Sequence, residues 1–86
     1  MTPAQCRAAR AFVGISQSDL ASRSGAAKRT IAAFEAGGRQ PYPRTLEAIR
    51  ATLEAAGVVF LDANGNGPGV ALRREPEGDA AGPSGT

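Results

Sequence analysis

Gly25 is the residue that most constrains what this chain can fold into. It stands between two short stretches of helical spacing in SQSDLASRSGAAKRTIAAFEAG, residues 16–37. A residue without Cβ at that point permits the left-handed backbone that ends one helix and turns sharply into the next. Ser16 is a good N-cap for the first helix. Asp19, three residues on, can reach back to the free amides as a variant of the capping box. Leu20 and Ala21 supply a small apolar face. Beyond the turn, Ile31 and Phe34 recur at helical spacing, and Gly37-Gly38 ends the second helix. The stretch predicts helices over about 17–23 and 27–36 joined by a tight turn.

The flanks extend this pattern. Thr2-Pro3 suits a helix start, with a hydroxyl at the cap and proline in the first turn. That helix runs to about Val13 and stops at Gly14, with Cys6, Ala9 and Val13 on its inward face. Ile15 follows as a plug between the first two helices. GGRQPYP (37–43) holds two glycines and two prolines and reads as a loop. Pro43 opens a fourth helix, PRTLEAIRATLEAAG, with Leu46, Ile49 and Leu53 as its core stripe and Gly57 as its stop. Two apolar runs, Val58–Leu61 and Val70–Leu72, then flank an Asn/Gly turn and read as a β-hairpin. A lone hairpin is marginal in water, so it must pack on the helices or on a second copy. From Glu75 the chain has no large apolar residue and is expected to be disordered. The expected division is a helical domain over 1–57, a hairpin over 58–74 and an acidic tail over 75–86.

Residues 16–37 resemble the helix-turn-helix of the Cro/C1-type (XRE-like) DNA-binding family. The matching residues are Gln17, the Leu20-Ala21 pair, Gly25 in the turn, Ile31, and Phe34-Glu35 before the closing glycine. The resemblance spans about residues 5–56. It implies a mainly α fold: a lambda-repressor-like domain of four to five helices, followed here by a short C-terminal β-hairpin. One position departs. The family often caps the recognition helix with Ser or Thr, and this chain has Ala27.

Charge is compatible both with a nucleic-acid partner and with a solvated basic face that has none. Residues 1–45 carry seven basic side chains against Asp19 and Glu35, whereas the tail from Glu75 carries three acids and no base. A basic first half is the footprint of a phosphate-binding surface. Other chemistries find no support. The chain has no histidine and one cysteine, so no zinc site of the usual kind and no internal disulfide can form. Cys6 reads as a small buried apolar residue. Ser16, Ser18, Ser22 and Ser24 have no base to activate them. No cofactor, metal or catalytic role is expected. No apolar run approaches the roughly 20 residues that span a bilayer, and no leader is evident, so a cytoplasmic, nucleoid-associated protein is expected.

The residues expected to meet DNA follow from the helix 27–36. Lys28 and Arg29 lie at its N-terminal end, where base edges are reached, and arginine can pair bidentately with guanine. Ala32 and Ala33 let the helix lie close and could touch thymine methyls. Gln17, at a helix N-terminus, can donate to a phosphate, and the family uses glutamine this way at the matching position. Ala27, Thr30, Arg39, Arg44 and Arg10 complete the expected phosphate contacts. In similar proteins an arginine near the end of the first helix pairs with a glutamate near the end of the recognition helix, which the resemblance carries to Arg10 and Glu35. The family commonly binds as a two-fold dimer on a near-palindrome. Val58, Val59, Phe60 and Leu61 are the expected dimer interface, since an exposed strand edge tends to pair with another copy. The expected protein is therefore a DNA-binding transcriptional regulator acting as a homodimer on double-stranded DNA. The rival reading is an antitoxin or other protein-interaction module, with a protein partner and autoregulatory DNA binding.

Overall fold

The computed structural model describes residues 1–61 and 67–73. Four helices are followed by an antiparallel pair of strands: α1 (Pro3–Val13), α2 (Gln17–Ser24), α3 (Lys28–Glu35), α4 (Pro43–Ala55), β1 (Val58–Leu61) and β2 (Gly69–Leu72). The expected tail over 75–86 and the Asn64–Asn66 turn lie outside the described residues.

Local chemistry explains the helix ends. The Ser16 hydroxyl accepts from the Asp19 amide at 3.0 Å, and the Asp19 carboxylate accepts from the Ser16 amide at 3.4 Å. Gly25 closes α2 at φ 80°, a left-handed conformation that is strained for a residue carrying Cβ. α1 opens on a second reciprocal box. Gln5 N–H donates to the Thr2 hydroxyl, and the Gln5 side-chain oxygen accepts from the Thr2 amide. α3 has no such help. Ala27 is its N-cap and makes no side-chain cap bond. At the other end of α3 the chain turns tightly, with the Gly38 amide donating to Ala33 O at 2.8 Å. A Cβ on Gly38 would stand 3.0 Å from that carbonyl oxygen.

One core serves helices and strands. Leu20, Ile31, Ile49, Leu53 and Cys6 are fully buried, and Ile15 and Phe34 join them. Val58 and Phe60 belong to the same cluster. Each buried leucine, isoleucine, valine or phenylalanine side chain contributes roughly 1.5–3 kcal/mol of burial free energy. The strands are therefore not a separate layer: the expected boundary at residue 57 divides the chain, not its core. In register, Val58 faces Leu72, Val59 faces Ala71, Phe60 faces Val70 and Leu61 faces Gly69. Strand alternation turns Val58 and Phe60 inward and leaves Val59 and Leu61 outside. Gln5 ties the hairpin to α1, its Nε2 donating to Leu61 O at 3.1 Å and Gly69 O at 2.8 Å. Arg50 on α4 lies 5.0 Å from the Phe60 ring centroid, a cation–π distance.

Candidate nucleic-acid interface

α3 has one buried side and one open side. Ile31 and Phe34 pack inward, while Lys28, Arg29 and Ala33 are exposed, as is Ala36 at the C-cap. Ala32 and Thr30 are half-buried at the boundary. The turn after α3 brings Arg39 back beside the helix. Arg29, Thr30 and Ala33 share an open groove of about 610 Å³ with Arg39, Tyr42 and Thr45. Arg44 is exposed but does not line that groove, and neither does Lys28. Ala27 has only a methyl group to offer. Its position leaves the first-turn amides of α3 without a side-chain acceptor from the cap.

The C-terminal end of α3 is held by Glu35, which is 3% exposed. Arg10 grips its carboxylate bidentately, Nε to Oε2 at 2.7 Å and Nη2 to Oε1 at 2.8 Å. Arg10 also donates through Nη1 to Ile15 O at 3.1 Å. Gln17 donates from Nε2 to Glu35 Oε1 at 3.0 Å, and the Cys6 thiol donates to Oε2 at 3.1 Å. Arg7 donates to the Glu35 backbone carbonyl. The carboxylate thus joins α1, α2 and α3. Burial works to raise the Glu35 pKa, but the hydrogen bonds from Arg10, Gln17 and Cys6 outweigh it and hold the group below the ordinary carboxylate range. The bond to Glu35 raises Arg10 further. Burial, reinforced by the bond to Glu35, pushes the Cys6 thiol up to about 12, so it stays protonated and a donor.

A family model described as helix-turn-helix matches residues 7–55, more than half of the chain. The chain belongs to the Cro/C1-type helix-turn-helix family. It is a DNA-binding helix-turn-helix domain, with α2 and α3 as the motif and α3 in the position of the recognition helix. No curated protein matches it. Among the described residues no cluster of His, Cys, Asp or Glu could hold a metal ion, and no helix is long and apolar enough to cross a membrane.

The geometry refines several sequence expectations for this helix-turn-helix chain. Gln17 was expected at a phosphate, but one of its amide hydrogens goes to Glu35, which leaves the other for an external acceptor. Ala32 is less open than Ala33. Of the four residues expected at a dimer interface, Val59 and Leu61 are open to solvent, whereas Val58 and Phe60 are 2% and 9% exposed in the core. Tyr42, Thr45 and Gln5 carried no expected role. Tyr42 stood out only as the aromatic residue of the 37–43 loop. The Thr2-x-x-Gln5 spacing was the available signal for the α1 box.

Proposed function

We propose that this chain is a sequence-specific transcriptional regulator that binds double-stranded DNA as a homodimer on a near-palindromic site. α3 enters the major groove. Lys28 and Arg29 read base edges, and Ala32 and Ala33 allow close approach. Gln17, Thr30, Arg39, Arg44 and Arg10 hold phosphates, along with the backbone amides at Ala27. The single observation that carries this reading is the two-sidedness of α3. Ile31 and Phe34 fix the helix in the core while Lys28 and Arg29 project from its exposed N-terminal end, the end that contacts bases when such a helix lies in the major groove. The groove shared by Arg29, Thr30 and Arg39 supports it, since it sets base-reading and phosphate-holding side chains side by side. A single module buries too little surface for high specificity. Two copies related by a two-fold axis supply the rest, through the outward side chains Val59 and Leu61.

The test is selection of bound duplexes from a random pool at near-physiological salt. Enrichment of a two-fold symmetric site is expected. Arg29→Ala should relax the preference at one base pair per half-site, a loss of roughly 1–3 kcal/mol of discrimination. Weak, salt-sensitive binding without enrichment, together with copurification of a protein partner, would overturn this reading in favour of a protein-interaction module.

A further inference from the structure

The Glu35 carboxylate receives four side-chain hydrogen bonds from three residues: two from Arg10, one from Gln17 and one from Cys6. A carboxylate offers about four lone-pair sites, so this one is saturated. Three of the four bonds come from groups whose main chemistry is polar. The fourth comes from Cys6, which is 0% exposed and whose residue type reads from the sequence as simple filling of the core. We propose that Cys6 is a positioning residue for duplex binding: its thiol proton completes the Glu35 carboxylate and so fixes the group that aims Gln17 and anchors α3. The inference rests on the DNA-binding reading above.

The chain of contacts is continuous. The Cys6 Sγ–H donates to Oε2 and Gln17 Nε2 donates to Oε1 of the same carboxylate. Gln17 opens α2, and its second amide hydrogen is the one available to a phosphate. Remove the thiol donor, and Oε2 keeps only Arg10. Arg10 still holds both oxygens, but the buried lone pair left without a donor draws the carboxylate out of its present setting and shifts the Gln17 amide bonded to it. The charged groups facing Glu35 are Arg10 and Arg7, both from α1. Neither is altered by a change at position 6.

Packing and donation are separable, because alanine and serine leave nearly the same space at position 6 and differ in the hydroxyl. Duplex binding by the full chain, Cys6→Ala and Cys6→Ser is measured by fluorescence anisotropy with the most enriched duplex of the selection. The Glu35 carboxyl titration is followed in parallel by carbon NMR. Cys6→Ala is expected to bind about five- to tenfold more weakly, with a raised Glu35 titration midpoint. Cys6→Ser is expected to stay within about twofold of the parent chain, since its hydroxyl still donates to the carboxylate. Should Cys6→Ala not fold, Cys6→Val, which fills the site without a polar donor, replaces it. Equal losses in the alanine and serine variants, or an unmoved Glu35 midpoint in Cys6→Ala, would reduce Cys6 to packing and overturn the proposal while leaving the DNA reading intact. A parent chain that enriches no duplex would overturn both, whatever the titration shows.

Discussion

At the residue scale, Glu35 and Cys6 make stability depend on pH at both ends of the range. The folded chain holds the Glu35 carboxyl below its ordinary value of 4.5. The unfolded chain therefore takes up that proton first as the solution is acidified. The stability from this group is fully present above about pH 4.5 and is lost as pH falls through the lower folded value. Cys6 acts in the opposite direction. Its thiol moves from 9.0 to about 12 on folding. The unfolded chain ionises first as pH rises, so this contribution is complete below pH 9 and is lost between pH 9 and 12. Urea unfolding should show a fall on the order of 2–3 kcal/mol between about pH 9 and pH 11 in the parent chain. A Cys6→Ser variant, with no thiol to ionise, should be nearly flat over that window.

At the element scale, α3 starts without a side-chain cap. Ala27 already has the extended backbone of an N-cap, φ −69° and ψ 142°, and its side chain is exposed. Ala27→Ser should therefore add a cap without rearrangement and stabilise the fold by about 0.5–2 kcal/mol. Chemical denaturation would measure it, and an unchanged midpoint would show that the α3 amides already have an adequate acceptor. The elements differ in how far the sequence reveals them. The Ser16–Asp19 box, the Gly25 turn and the Ile31–Phe34 face are legible because their partners lie within four residues of one another. The Pro43 helix and the two strands are legible from spacing and turn residues. The anchoring of the hairpin is not, since Gln5 meets Leu61 and Gly69 across 56 and 64 residues, a separation that no local period encodes. The contacts of Cys6 and Gln17 with Glu35 are hidden for the same reason, as they depend on how three helices cross. The Arg10–Glu35 pair is legible only through the family resemblance. Burial of Val58 and Phe60 follows from strand alternation, but which face meets the helices depends on the fold.

At the scale of the whole molecule, the hairpin has two duties that one deletion would confuse. Its inward residues complete the core, so removing residues 58–73 should unfold the domain. Its outward positions, Val59, Leu61, Ala71 and Gly69, carry no polar side chain, and Val59 and Leu61 are 38% and 44% exposed. Leu61→Asp leaves the core untouched. It should abolish the proposed dimer in sedimentation while the melting temperature of the domain shifts by only a few degrees, as expected for a surface change. A dimer that survives this substitution would place the contact elsewhere.

The buried state of Cys6 also governs how two copies can be joined. The chain has no other cysteine, and this one is sealed in the core as a protonated thiol, the unreactive form. Oxidising conditions therefore cannot lock a pair of folded chains together by a disulfide. The proposed dimer is reversible, and its abundance follows mass action. Occupancy of a symmetric site would then rise more steeply than in proportion to the amount of protein, so a modest change in synthesis or dilution becomes a sharper change at the DNA.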